Sequence, residues 1–540
     1  MSFLVNGERK YFQVSDTALF NALSSINKEG MGKLFNMFFG MPKRVLTYTA
    51  TFGPAFRVAN LLRDTLHTWM ITPGVDFKPF LDSFHGFVRA WRQDEGVVEN
   101  MAAGGLHGGS YINAEDPKAL AGFTKRLIDE QNRKWGGGVI NNFRKALAWW
   151  MKVGEASENA ARVKRHQQVI AKGGSSLDAA FGSRDLLDFA MRGEGKAWNV
   201  LISMVPFLNA RFQGNYRMYR GFRENPVDFA IKGAILAAAS LALWAAYKDD
   251  DRYKELPDWE KFTYYHAWIG SGEDGHIRMP KPFETGIIFS SFVESIGNVV
   301  NKNEEAEFMV RFFTHALTET LAFNPVPQTL KPIAEVWANR SFFTGRPIET
   351  LSDRNLKPGD RASHYTSETL QLIGKGLNIS PKKMEALSRG YLSTMSAFLL
   401  AGPDQVSRWF GNFPEKPTLK TNEFPLIGRF WRQGPARSTK YMTRFYEILT
   451  ESNELVGSVK HYSKLGDHAK VRKLKKDNKK LWVTNKRLKK YQQRLAKYRR
   501  QIKKAYISNR SPEEKGKRID YLTRKLNSTS KKAYEYYMSR

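Results

Sequence analysis

The side chains with the most evident chemical potential are cations. From Arg472 to Lys504 the chain reads "RKLKKDNKKLWVTNKRLKKYQQRLAKYRRQIKK". Ammonium and guanidinium groups at this density hold anions by charge and hydrogen bonding, and phosphate is the anion they suit best. The candidate DNA or anion contacts are Arg472, Lys473, Lys475, Lys476, Lys479, Lys480, Lys486, Arg487, Lys489, Lys490, Arg494, Lys497, Arg499, Arg500, Lys503 and Lys504. No zinc finger, RNA-binding signature or helix-turn-helix pattern accompanies them, so binding blind to base sequence is expected. The competing reading is a solvated, partly disordered tail.

A second cationic group lies in "VPFLNARFQGNYRMYRGFREN", residues 205–225. Arg217, Arg220 and Arg223 recur every third residue beside an aromatic stripe of Phe212, Tyr216, Tyr219 and Phe222. Such a helix suits nucleic acid or a membrane interface. A stripe of this period is more often buried, so the aromatics are expected in the core. The arginines then either pair with local acids or, with Lys232, contact anions at a boundary.

These groups need elements to position them. Leu474, Leu481, Leu488, Leu495 and Ile502 recur every seven residues, the seam of a coiled coil or helical hairpin. Tyr491 and Tyr498 extend it, whereas Asp477 and Thr484 do not. The pattern predicts one helix over 466–505, roughly 60 Å long. A turn at "SNRSPEE" then opens a final helix in which Ser511-Pro512 and Glu514 form a capping box. Before the tail, Gly233–Tyr247 carries no charge. Extended back to Phe229, the apolar segment reaches 19 residues with Lys232 inside, close to what a bilayer span requires. Lys232 would snorkel at one end, with Trp244 and Tyr247 as interfacial aromatics at the other. The alternative is an alanine-rich core helix.

Composition sets wider bounds. The net charge is +32 over 540 residues. Residues 456–540 hold 28 Lys and Arg against 6 Asp and Glu, a net of +22, leaving +10 for the rest. The absence of cysteine excludes disulfides and thiolate metal sites. No P-loop, GxSxG, HExxH or Rossmann fingerprint is present. His107 in "GGLHGGSY" reads as a loop residue, Asp249–Asp251 as a solvated helix end and Glu284 as structural. No enzyme activity, cofactor or metal is expected.

Most of the chain reads as helix. Asp116-Pro117 and Ser380-Pro381 carry helix-start signals, and 139–170 and 176–194 have helical periodicity. Two hairpins are predicted, "FLVNGERKYFQV" turning at Asn6-Gly7 and "YYHAWIGSGEDGHIRMP" turning at Ser271–Gly275. A hairpin at the first residues leaves open that the chain is part of a longer precursor. Glycine clusters at 104–109 and 136–138, and breaks at 345–361 and 411–437, suggest linkers. The expected architecture is mainly α: an elongated multi-helix body with small β-hairpins and a C-terminal basic helical hairpin or coiled coil. Its divisions are 1–22, hairpin and lead-in; 23–410, helical body with the apolar helix 229–247; 411–455, Pro/Gly-rich linker and helix; and 456–540, basic tail.

Several segments in order carry a family resemblance: "FRVANLLRDTLHTWMITPGVDFKPF", "GSRDLLDFAMRGEG", "VPFLNARFQGNYRMYR", "RMPKPFETGIIFSSFVE", "NPVPQTLKPIAEVWANRSFFTGRPIE" and "ISPKKMEALSRGY". Over roughly 50–400 the chain resembles the large polyvalent protein-associated α-helical domain of bacteriophages. The resemblance carries over no catalytic residues. It implies an internal virion protein of the DNA-ejection type, packaged in the capsid and expelled into the host periplasm and inner membrane. The implied partners are phage genomic DNA, other internal virion proteins, the portal and the host inner membrane, in a homo-oligomeric ring or tube. The alternative is an envelope-associated protein whose tail and apolar helix bind anionic membrane, with DNA contact incidental.

Overall fold

Helix caps and apolar periodicity dictate most of the observed elements. In a computed structural model the described residues are 2–5, 8–11, 35–74, 77–106, 139–188, 191, 195–269, 275–320, 329–342, 347–363, 365–393, 395–410, 413–424, 426–436 and 439–540. The molecule is mainly α. The turn at Asn6-Gly7, His107, the helix start at Asp116-Pro117, the glycine cluster at 136–138 and most of the turn at 271–275 lie outside these residues.

Both hairpins form. Strands β1 (Ser2–Val5) and β2 (Glu8–Tyr11) pair antiparallel, with Val5 opposite Glu8. Helices α1 (Pro54–Ile71) and α2 (Leu81–Arg92) pack on the long α3 (Val139–Ala171). The α2–α3 crossing depends on Gly86, since a Cβ there would sit 1.9 Å from the Ala160 carbonyl oxygen. Small apolar clusters fill this layer, among them Ala90, Val97, Leu106, Ala156 and Val163. Among the described residues of the periodic segment predicted at 176–194, the helix spans Ser176–Arg184, which Ser175 opens with a capping box.

Helix α4 (Leu208–Glu224) leads into α5 (Pro226–Tyr247), which begins with proline where a missing N–H costs nothing. The polypeptide then forms α6 (Asp258–Thr263) and the hairpin of β3 (Tyr264–Trp268) and β4 (His276–Pro280). The pair register sets Trp268 opposite His276 and His266 opposite Arg278. Helices α7 (Phe292–Val300) and α8 (Glu307–Thr320) follow. Phe262, Phe308 and Phe312 form the core between α6 and α8. The segment expected as a linker at 411–437 contributes more than a connection. Its strand β5 (Trp431–Arg432) adds to the sheet beside β4.

The C-terminal helices are α9 (Lys440–Lys464), α10 (His468–Asp477), α11 (Lys479–Tyr506) and α12 (Pro512–Met538). The single helix predicted over 466–505 is broken at Asn478, whose φ of −120° and ψ of 40° leave the helical region. At Ser380 and Ser511 the serine hydroxyls cap their helices, each accepting the amide three residues on; of the capping box predicted at Ser511, the reciprocal bond from Glu514 is not made. Helices α11 and α12 make a hairpin, and α9 packs against both. The result is a three-helix bundle. Its core joins Met442, Phe445 and Leu449 of α9 to Leu488 and Leu495 of α11 and Leu526 and Ala533 of α12.

Candidate nucleic-acid interface

The bundle core explains how α11 can present so many cations. Leu488 and Leu495 of the heptad seam are fully buried, while Leu474, Leu481 and Ile502 are half-buried. Their burial leaves the other faces of α11 to lysine and arginine. Thr484, which interrupts the apolar seam, is also buried; its hydroxyl donates to the Lys480 carbonyl at 2.7 Å. Asn485 donates to Ser452 Oγ at 2.8 Å and to Asn453 Oδ1 at 3.2 Å, a polar tie between α9 and α11. Such a buried tie fixes register because a slip would leave the amide unpaired.

Of the sixteen cations, Lys475 and Lys480 are half-buried and the other fourteen are exposed. None pairs with a carboxylate among the described residues. Several are steadied by aromatic rings instead. Lys475 lies 4.5 Å from the Trp482 ring centre, Lys480 4.4 Å from Tyr537, and Arg487 5.0 Å from Tyr536. Arg499 donates to the Tyr446 hydroxyl at 2.6 Å. Rings attract cations without cancelling their charge, so the positive field remains available to an outside anion.

The bundle is also docked. Arg444 reaches Asp258 at 2.6 Å, Lys440 reaches Glu304 at 2.8 Å and Lys531 reaches Glu255 at 3.4 Å. Tyr534 donates to Glu305 at 3.3 Å. These contacts use cations of α9 and α12 and spare those of α10 and α11.

The second cationic group is arranged differently from expectation. Arg220 donates to Asp185 at 2.7 Å and to Glu224 at 2.8 Å. Arg217 lies 3.4 Å from Asp185 and 3.3 Å from Glu224. Both arginines therefore serve local ion pairs, which corrects their reading as boundary anion contacts. Arg223 is exposed and has no carboxylate partner among the described residues. Lys232 is also corrected: it is buried, bonded to the Thr72 carbonyl and 2.9 Å from Asp228. Its ammonium cannot reach headgroups from that position.

The aromatic stripe is not core. Phe212, Tyr216, Tyr219 and Phe222 are 43–58% exposed. The buried face of α4 is instead Leu208, Asn209, Gly214 and Gly221. A Cβ on Gly214 would meet the Glu284 carboxylate at 2.9 Å, and one on Gly221 would touch Ile71 at 3.4 Å. Small residues let neighbouring elements approach on that side, which pushes the rings outward.

Helix α5 is 22 residues long; its most apolar 18-residue stretch has mean hydropathy 1.8, and 33% of that stretch is buried. Phe229, Lys232, Gly233, Leu236, Ser240 and Trp244 face inward. Ile231, Ala234, Ile235, Ala238, Ala239 and Ala242 are exposed. The helix thus presents an uncharged apolar face to solvent.

One further cluster escaped sequence reasoning. Glu260, His266 and His276 come together beside the three-stranded sheet. Burial, aided by neighbouring cations, lowers the His276 pKa to about 4, and burial pushes His266 well below its ordinary value. Both rings are neutral near pH 7. The usable signal was hairpin alternation, which puts His266 and His276 on one face of "YYHAWIGSGEDGHIRMP". The acid reaches them from the preceding helix, through the fold.

Residues 250–427 match the family model of large polyvalent protein associated domain 38. The match takes in α6, β3, β4, α7 and α8 and ends before β5 and the basic bundle. Neither a curated protein nor a solved structure matches the chain.

Proposed function

From the match of residues 250–427 to a large polyvalent protein associated domain, we propose that the chain is a bacteriophage internal virion protein of the ejection type. It is packaged with the genome, expelled into the host envelope, and helps form an oligomeric conduit there. Its partners are genomic DNA, other internal virion proteins, the portal and the host inner membrane. The observation that supports this reading most is the α10–α11 surface, whose sixteen cations have no acidic partner among the described residues. A surface of that kind gains affinity by releasing counterions from a polyphosphate, and it does so without reading bases. The polar tie at Asn485 and the docking of α9 and α12 give the cations a fixed platform. No catalytic step is assigned to the chain.

A second reading is supported by the exposed apolar face of α5. In that reading the protein is envelope-associated: α5 and the basic bundle bind anionic lipid, and DNA contact is incidental. Electron microscopy of the full chain with vesicles and duplex DNA tests the conduit. The expected result is a symmetric oligomer with a lumen lined by α11; particles without a lumen in every condition contradict it. Flotation with neutral and acidic vesicles separates the two readings. Tight binding to acidic vesicles by a chain with no DNA affinity favours the second.

A further inference from the structure

We propose that Glu260, His266 and His276 form a binding site for a divalent transition-metal ion of the zinc class, at the sheet of the matched domain. Strand alternation places His266, Trp268, His276 and Arg278 on one face of the β3–β4 hairpin. Helix α6 carries Glu260 to that face. One ligand-type atom from each of Glu260, His266 and His276 lies within 4.8 Å of the other two. That is a spacing a single ion can bridge with little rearrangement.

The hydrogen bonding selects which atoms are free. His266 Nε2 lies 3.2 Å from the backbone carbonyl of Glu260. A carbonyl can only accept, so Nε2 carries the proton and Nδ1 presents a lone pair. His266 is 5% exposed, and its Nδ1 has no hydrogen-bond partner. His276 Nε2 is likewise buried and unpartnered. Its ring stacks on Trp268 with centres 4.7 Å apart and lies 5.2 Å from His266. Two orphaned imidazole nitrogens on one buried face are costly, because each has given up water for nothing. A ligated ion satisfies both. An imidazole that donates its far N–H to a carbonyl while its near nitrogen binds metal is the usual arrangement of metal-bound histidine.

The neighbouring charges decide the class of ion. Arg278 and Arg432 both donate to Glu260 Oε1, at 2.8 and 3.0 Å. The second oxygen of Glu260 takes no hydrogen bond among the described residues. Calcium and magnesium rely on several oxygen ligands and on carboxylate charge, which two guanidiniums oppose here. Zinc and its neighbours accept neutral imidazole, and two histidines with one carboxylate is an established zinc set that leaves a fourth position open. On the solvent side of the cluster, Arg432 of β5 pairs in register with His276, and its side chain is 37% exposed. The ion would tie α6 to the hairpin.

The test uses the full chain, stripped with a chelator and titrated with zinc against a chromophoric competitor. One ion per chain and a higher thermal midpoint with zinc are expected. Outer-shell substitutions alone cost about 10–100-fold in affinity, so His276→Gln should cost about 100-fold or more. Glu260 also anchors two arginines, so its substitution risks misfolding; a readout needing no variant is the visible spectrum of bound Co²⁺. Four-coordinate bands on the unmodified chain support the site. Failure of the unmodified chain to bind zinc, or undiminished binding by a folded His276→Gln chain, overturns it.

Discussion

Glu284 shows how much a residue's role depends on what the fold packs around it. Sequence reading took it as structural, and it is buried against the backbone of α4 at Gly214. Burial raises its carboxyl pKa to about 7, well above an unfolded-chain value near ~4.3. Between those values the folded state holds the proton that the unfolded state has lost. Stability from this group is therefore present at low pH and falls as pH rises towards 7. Glu284→Gln should raise the thermal midpoint at pH 8 and leave it nearly unchanged at pH 4; melting curves at both pH values check this. The sixteen tail cations were readable because charge density is a property of composition. The partners of Arg217 and Arg220 were not, since Asp185 lies in a different element and only the fold brings it near. The aromatic stripe of α4 misled for a related reason. Periodicity finds the face with the largest apolar residues, but close packing here selected the glycine face.

At the scale of elements, caps and seams translated well into structure. Ser380 and Ser511 open their helices, and Leu488 and Leu495 of the heptad point inward. What periodicity lacked was the third helix. Met442, Phe445 and Leu449 of α9 complete the core that the hairpin alone would leave half open. Phe445 is fully buried, and Phe445→Ala should cost about 3–5 kcal/mol, by the lost transfer energy and the cavity left behind. Urea unfolding followed at the bundle checks the magnitude. The break at Asn478 was unreadable because the heptad pattern runs through it without a proline or glycine. Helix α5 gave an ambiguous signal in sequence, and it has two distinct faces in the fold. One packs on the body, and the other is exposed and apolar. If that exposed face engages lipid, Ile231→Asp with Ile235→Asp should leave the circular dichroism unchanged and abolish vesicle flotation. Unchanged flotation would remove α5 from the membrane reading.

The whole molecule separates a body of modest charge from a strongly basic bundle, and joins them through acids of the matched domain. Asp258, Glu255 and Glu304 take cations from α9 and α12, so the charge left outward is concentrated on α10 and α11. Composition revealed the imbalance; only the fold showed which cations are spent on docking and which remain. The central claim is that the remaining ones hold DNA by phosphate neutralisation. The most direct test is the affinity of the full chain for random-sequence duplex DNA across a range of salt. The comparison is a variant with Lys486, Lys489, Lys490, Arg494, Lys497 and Arg500 all changed to Gln, six positions exposed in the fold. Each phosphate contact contributes about 0.9 to the slope of log K against log salt. The account predicts a steep slope for the native chain, and a slope shallower by up to about 5 with much weaker binding for the variant. Equal slopes and equal affinities for the two chains would contradict it.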